Sequence, residues 1–270
     1  MQIKSPKPIM NVLAYINWSI SPEIFALGPI APRWYGLLFA MGFVVGYFIM
    51  ARIFKIEHKT QQDLDALSIT MILSTVIGAR LGHCLFYEPE IYLADPIKIL
   101  FIWQGGLASH GAAVGIVFAL WLYARKRADI DTMWILDRIV IVIALAGFFI
   151  RTGNFFNSEI LGLPSDLPWA VVFSNIDNIP RHPVQLYEAF SYMAIFVFLY
   201  SLYNKYKQNI PKGLLFGIFL TTIFGSRFIW EFFKTAQAAF ETDDSFKMGQ
   251  FLSIPLILIG LYFIYKSQKK

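Results

Sequence analysis

Apolar residues in this chain are gathered into long runs rather than spaced along one helical face. Seven stretches, near residues 34–54, 66–87, 99–123, 134–153, 187–204, 213–232 and 250–265, meet or approach the roughly 20 apolar residues that cross the hydrocarbon core of a bilayer. Helix is the expected state of each, because lipid offers no partner to an open backbone. The third stretch is the least regular. Gln104-Gly105-Gly106 and Ser109-His110-Gly111 interrupt it, so a kinked or re-entrant span is expected there. The predicted fold is an all-α membrane protein, a bundle of about seven transmembrane helices. Residues 1–33 form an extracytoplasmic arm and 34–270 the transmembrane domain. The longest polar piece, about 154–186, is rich in Asn, Pro and Ser, and is expected to cap the outer mouth of the bundle. No compact apolar run follows Lys4 and Lys7 before Trp34, which argues against a cleavable signal peptide.

Composition supports the membrane reading. Of the 270 residues, 57% are hydrophobic and only 15% charged, against about 25% charged in an ordinary globular chain. The net charge of +5 does not point to nucleic acid, because Lys and Arg fall in short clusters between the apolar runs. Twelve lie in the loops after the first, third and fifth stretches and at the C-terminus, and seven are spread over the longer opposite segments. The positive-inside rule then places the N-terminus outside and the C-terminus in the cytoplasm. The single cysteine, Cys84, excludes an intramolecular disulfide and a cysteine-based metal site, and its apolar neighbours mark it as a buried small hydrophobe.

Charges at membrane depth cost at least about 2.5 kcal/mol each, so they are candidates for function. Arg80 and His83 stand three apart on one helical face, although Arg80 could simply snorkel to the interface. His110 is flanked by glycines and can exchange a proton near neutral pH. Arg151, Asn154, Asn157, Glu159 and Gly162 fall within twelve residues, a set suited to a phosphate held by a guanidinium with amides completing the shell. Gln185 and Glu188 follow Pro183 at a helix start, where a carboxylate could merely favour the dipole. Arg227 and Glu231 are four apart, so they either pair with each other or leave Arg227 aimed at an anion. With no metal-binding cluster, no phosphate loop of the nucleotide kind and no nucleophile-elbow serine, the inventory suggests a lipid-facing site for a phosphate-bearing substrate.

The run Arg151 to Gly162 resembles the Arg-x-Gly-Asn-Phe-x-Asn-x-Glu-x-x-Gly signature of the bacterial prolipoprotein diacylglyceryl transferases. Trp103 to Gly111, Arg33 to Leu37, Arg181 to Glu188, Arg227 to Phe233 and Gly249 to Ser253 resemble further motifs of that family, in the same order. The likeness spans roughly residues 33–260. It implies transfer of the diacylglyceryl group of phosphatidylglycerol to the lipobox cysteine thiol of prolipoprotein signal peptides. Glycerol phosphate leaves, and no cofactor is required. It also implies a bacterial cytoplasmic (inner) membrane location. Arg151 and Arg227 are then the candidates for stabilising the departing phosphate, and His110 or Tyr35 for the thiol base. Tyr35, Arg80, Arg151, Asn154, Asn157, Glu159, Gly162, Gln185, Glu188 and Glu231 are expected to bind substrate. The chain departs from the family pattern at Ile150, where glycine is usual, at Ala112 in the His-Gly-Gly element, and at Ile223, where the family often carries tyrosine. Competing readings are a lipid flippase or transporter, a non-catalytic scaffold, and a membrane acyltransferase; one broken span fits poorly with the paired broken helices of transporters.

Overall fold

The computed structural model describes residues 15–28, 31–102, 105–127, 129–236 and 246–269. Trp103, Gln104 and the acidic residues Glu241, Asp243 and Asp244 lie outside the described residues. After strand β1 (Ile16–Trp18) come helices α1 (Trp34–Ile56) and α2 (Gln61–Phe86), then the short α3 (Pro89–Ala94) and a 3-10 turn at Pro96–Leu100. Helices α4 (Ser109–Arg125) and α5 (Thr132–Phe156) lead to β2 (Val171–Phe173) and β3 (Pro180–Arg181). Helices α6 (Val184–Tyr206), α7 (Leu214–Glu231) and α8 (Met248–Ser267) complete the bundle. Six of these helices are long and apolar enough to cross a membrane. Their outer faces carry large apolar side chains such as Phe48, Leu73 and Phe190 in exposed positions, as lipid requires.

The third apolar stretch resolves differently from a single kinked span. Its first half is a loop, and α4 begins only at Ser109, so the helix has 17 residues and a length of about 25 Å. Gly105 and Gly106 take φ of +87° and +71°, a left-handed region that ends regular structure and favours glycine. The carbonyls freed by this turn are taken up by a buried arginine, described below.

Small residues set the closest helix approaches. A Cβ on Gly82 would lie 2.6 Å from Cα of Gly111, and one on Gly78 would lie 2.6 Å from the Gly111 carbonyl oxygen. Helices α2 and α4 therefore touch backbone to backbone, the small-residue packing that membranes favour where no hydrophobic effect drives association. Gly217 and Gly260 do the same for α7 and α8. Helix ends are capped by polar groups: Asp131 accepts from the Trp134 amide at 2.7 Å. Asp137, on α5, accepts from the Gly213 and Phe216 amides at 2.7 and 2.9 Å, capping α7 from a neighbouring helix.

The two ends of the bundle differ. The large apolar core is drawn from Met50, Ile53 and Phe54 of α1, Leu64 and Leu67 of α2, Leu120 of α4, Ile135 and Ile139 of α5, Tyr203 of α6 and Leu215 of α7. These lie toward one end, where a buried polar knot reinforces them, and the core continues through Ile223 to Tyr192 toward the other. Glu57 accepts from Arg138 Nε and Nη2 at 3.1 Å each, from Trp134 Nε1 at 2.7 Å and from the Tyr203 hydroxyl at 2.9 Å. The opposite end carries the 157–183 segment. There β1 pairs in parallel with β2, Ile16 facing Val171, and β2 pairs antiparallel with β3. The N-terminal arm thus joins the cap in one small sheet, packed through Trp18 and Phe173 on Phe155 of α5.

Candidate active site

The signature run crosses from α5 into the cap, and its backbone turns sharply. Ser158 and Ile160 take φ of +54° and +57°. A left-handed conformation is a marked outlier for a β-branched residue and costs of order 1–3 kcal/mol. Two hydrogen bonds hold it. The Glu159 amide donates to the Asn154 carbonyl at 3.0 Å, and Gln185 Nε2, fully buried, donates to the Glu159 carbonyl at 2.6 Å. The turn directs the Glu159 carboxylate back along α5, where it accepts from Asn154 Nδ2 at 3.1 Å and Asn157 Nδ2 at 3.0 Å. Asn154 Oδ1 in turn accepts from Arg151 Nη1 at 3.3 Å. Four expected site residues are therefore one hydrogen-bonded unit.

Arg151 leads into a second chain of charges. Its Nε lies 3.1 Å from Glu188 Oε2, an ion pair not aligned as a hydrogen bond. The other oxygen of Glu188 accepts from Lys234 Nζ at 2.9 Å, and Lys234 also donates to Glu231 Oε2 at 2.8 Å. Glu188 is wholly buried, and Glu231 and Lys234 nearly so. Lys247, equally buried, donates to the Glu231 carbonyl at 3.2 Å and to the Lys234 carbonyl. The Glu231 carboxylate rests on the first turn of α8: a Cβ on Gly249 would lie 2.6 Å from its Cδ. That position sets the carboxylate against the positive end of the helix dipole.

Glu231 therefore pairs with Lys234 and not with Arg227, which corrects the simple i,i+4 ion pair as an account of Arg227. Among the described residues Arg227 has no ion-pair partner, and its enclosed Nε has no hydrogen-bond acceptor. Tyr192 of α6 hydrogen-bonds with Arg151 and lies within electrostatic reach of Arg227, which ties both guanidinium groups to one region. Tyr35, at the start of α1, faces the same region near Arg151 and Glu159. Gly153 makes room for it, since a Cβ there would lie 2.8 Å from Tyr35 Cδ2.

Gly162 closes the run by contact with the end of α7. The Leu163 amide donates to the Phe233 carbonyl at 2.8 Å and the Thr235 amide to the Leu161 carbonyl at 3.0 Å, with Gly162 bridged to Lys234. This pairing carries Lys234 under the cap. His182 lies against Gly162, and burial pushes its imidazole below the usual histidine range.

Arg80 and His110 lie apart from this cluster. Arg80, 3% exposed, donates to the carbonyls of Lys98, Ile99, Gly105 and Gly106 at 2.6, 2.9, 2.6 and 3.3 Å. Its donors are committed to backbone. His110 is exposed on the first turn of α4, with its ring 6.0 Å from Phe86 and 5.6 Å from Tyr87, centroid to centroid. Among the described residues no hydrogen bond or ring contact joins it to the Arg151 cluster.

Lys234 and Lys247 are two of the seven basic residues that the sequence spreads over the outer segments, and no motif singles out Tyr192. Lys234 stands three residues after Glu231, the i,i+3 spacing of an ion pair, although α7 has ended by then. Lys247 and Tyr192 carried no such spacing.

The model of the prolipoprotein diacylglyceryl transferase family matches residues 22–266. Among curated relatives, phosphatidylglycerol–prolipoprotein diacylglyceryl transferase of Chloroherpeton thalassium is 48% identical over 261 residues, 97% of each chain. That of Tolumonas auensis is 51% identical over 253 residues, covering 94% of this chain and 98% of the relative. That of Bacteroides fragilis is 40% identical over 272 residues, covering 96% and 98%. The matches run through α1 to α8 and include every element that builds the buried charge cluster. This multi-pass membrane chain belongs to the prolipoprotein diacylglyceryl transferase family.

Proposed function

We propose that Arg151 and Arg227 together hold the phosphate of phosphatidylglycerol while the diacylglyceryl group passes to the lipobox cysteine of a prolipoprotein signal peptide. The chain is a transferase of lipoprotein biosynthesis, the reaction that gives its family its name. Sulfur attacks the glyceryl carbon that bears the phosphate ester. A C–S bond forms, the C–O bond breaks, and the electron pair departs on glycerol phosphate. The thiol must lose its proton first, because the thiolate is the nucleophile. His110 and Tyr35 are the two acceptors within this reading.

One observation carries it: the charge balance of the buried cluster. Buried Lys234 and Lys247 and half-buried Arg151 and Arg227 are four cations, set with the buried carboxylates of Glu188 and Glu231 and the exposed one of Glu159. Among the described residues one positive charge is left over; Lys247 is held by the Glu231 and Lys234 carbonyls, and Arg227 has neither an ion pair nor an acceptor for its Nε. A phosphodiester carries one negative charge and would close the balance. Departure of glycerol phosphate adds negative charge at the same place, which preorganised donors stabilise more than they stabilise the bound lipid. Asn154, Asn157 and Glu159 fix the Arg151 guanidinium, while Gln185 and Glu188 hold that unit against α6.

In this reading Arg80 acts on the loop that precedes His110, and its contribution to substrate binding is indirect. The cap end faces outward, with the N-terminus outside and the C-terminus in the cytoplasm of a bacterial inner membrane. Burial of Lys234 and Lys247 removes two residues from the outer loop count and sharpens the positive-inside asymmetry. Residues 1–33 and about 154–186 then make up the extracytoplasmic part, and the remainder the transmembrane domain.

The test is the purified chain in detergent with phosphatidylglycerol and a lipobox peptide, following glycerol phosphate. Release should require both the peptide cysteine and Arg151. An Arg151→Ala variant that remains folded yet still turns over would sink the phosphate clamp. No release from the unaltered chain, where a family relative is active, would sink the catalytic reading of this site.

A further inference from the structure

Three features converge on the first turn of α4, and none is used by the phosphate cluster. The first is the Gly82–Gly111 contact, which sets α4 against the end of α2 at backbone distance. The Ala108 amide adds a hydrogen bond of 2.9 Å to the Ala79 carbonyl, fixing the register of the two helices. The second is Arg80. Its guanidinium joins two carbonyls before the loop, Lys98 and Ile99, to two after it, Gly105 and Gly106. The third is a set of rings. Tyr87, the residue that ends α2, lies 5.7 Å from the His83 imidazole at an interplanar angle of 15°. The same tyrosine ring lies 5.6 Å from the His110 imidazole at 35°.

We propose that Tyr87, held in place by stacking on His83, is a positioning residue for the His110 imidazole, with Arg80 fixing the loop that delivers His110 to α4. This rests on the reading of His110 as a group that works on substrate. His83 is itself braced: its Nε2 lies 3.4 Å from Glu88, and Tyr92 packs edge-on at 6.1 Å. Tyr92 also lies under Arg80, 4.9 Å from ring centroid to guanidinium carbon. The loop closes over the same pair, since a Cβ on Gly106 would lie 2.6 Å from His83 Nε2 and 2.8 Å from Arg80 Nη1. Tyr87 is exposed, so burial does not account for where its ring sits. Its two imidazole neighbours do. An exposed histidine on a helix surface samples several rotamers; a flat ring alongside it selects among them, and a base must be held within hydrogen-bond reach of its proton.

The chain has four histidines, which makes the idea directly readable. Histidine labelled with carbon-13 at Cε1 gives one signal each for His58, His83, His110 and His182, assigned by single replacement with glutamine. In Tyr87→Leu the signals of His83 and His110 should both move as the ring current is lost, while those of His58 and His182 stay. Turnover measured as glycerol phosphate release should fall at least tenfold in kcat with little change in KM for phosphatidylglycerol. Tyr87→Phe keeps the ring and should restore both signals and rate. His83→Leu should shift the His110 signal more weakly, in the same sense. If the His110 signal is unmoved in Tyr87→Leu, the positioning role is wrong, whatever happens to the rate. If the signal moves and kcat does not, the stack exists, His110 is not rate-determining, and the proposal fails with the reading it rests on.

Discussion

Arg227→Gln separates binding chemistry from folding more cleanly than any other substitution in the site. The guanidinium has no ion-pair partner among the described residues, and its enclosed Nε is unsatisfied. Removing it orphans no carboxylate, since Glu231 and Glu188 are both held by Lys234. The stability cost should therefore be that of a position outside any network, within about 0.5 kcal/mol, or a shift of roughly 2 °C or less for a chain of this size. Activity should respond very differently. A charge-assisted hydrogen bond is worth about 1.5–3 kcal/mol, and loss of one preorganised donor to a developing oxyanion costs about 2.7–4 kcal/mol. At about 1.36 kcal/mol per decade, kcat/KM should fall roughly 10²- to 10³-fold. Glycerol phosphate release gives the rate, and tryptophan fluorescence on heating in the same detergent gives the unfolding midpoint. A rate within about threefold of the unaltered chain, under 1 kcal/mol, would refute the phosphate role. A midpoint lowered by much more than the expected 2 °C or so would show instead that Arg227 has a structural partner.

Lys234→Met is the counterpart and should behave oppositely, because it strands the buried Glu231 carboxylate and leaves Glu188 with Arg151 alone; a loss of about 3–5 kcal/mol is expected, read as a large drop in the unfolding midpoint that a second change, Glu231→Gln, partly reverses. Gly82→Leu should abolish assembly of α2 on α4, since even the first added carbon would stand 2.6 Å from Gly111 Cα; normal yield and midpoint would contradict the close packing. Glu57→Gln leaves Arg138 buried without a counter-charge and should cost about 3–5 kcal/mol while kcat of the surviving folded enzyme is unchanged. For His182 the folded pKa is depressed by burial, so the unfolded chain binds the extra proton first as pH falls through about 6.5. Stability should decline on acidifying from pH 7 through that value, and His182→Gln should remove this part of the pH dependence; an identical pH profile for the two proteins would rule it out.

Much of the architecture was legible because the bilayer imposes a period-free signal. Runs of apolar residues located α1, α2, α5, α6, α7 and α8 to within a few residues, and lipid leaves only helix for such runs. The third run gives a shorter helix than its apolar length suggests, because hydropathy does not register backbone geometry: Ile99 and Phe101 are as apolar as any core residue, yet Gly105 and Gly106 turn the chain and α4 starts only at Ser109. The distant Arg80 accepts the cost of that turn by satisfying its carbonyls. At the site, Arg151, Asn154, Asn157 and Glu159 were readable together because they are local in sequence, and the structure binds them into one unit. Glu188 could be suspected from its place at a helix start, but its partners could not. Lys234 and Lys247 were counted as loop charges because composition cannot distinguish a lysine in water from one folded beneath a cap. The parallel pairing of Ile16–Trp18 with Val171–Phe173 joins segments far apart in the chain, and no local pattern encodes that.

The division of the bundle into an apolar end and a charged end explains how a membrane protein can keep so many ions in its interior. The core formed by Phe54, Leu64, Ile135, Tyr203 and Leu215 sits at the end where the helices need only adhere, and the Glu57–Arg138 knot there is fully satisfied. At the cap end the polar groups are less complete: Arg227 Nε, Gln185 Oε1 and Asn157 Oδ1 are enclosed without partners. An unmet buried donor or acceptor costs about 1–3 kcal/mol, so a site selected only for stability would have closed these gaps. A substrate that brings a phosphate and hydroxyl groups would fill them. In the proposed reading these enclosed groups face the phosphate and hydroxyls of the substrate, and the apolar end supplies the stability that lets them stay unpaired within the protein.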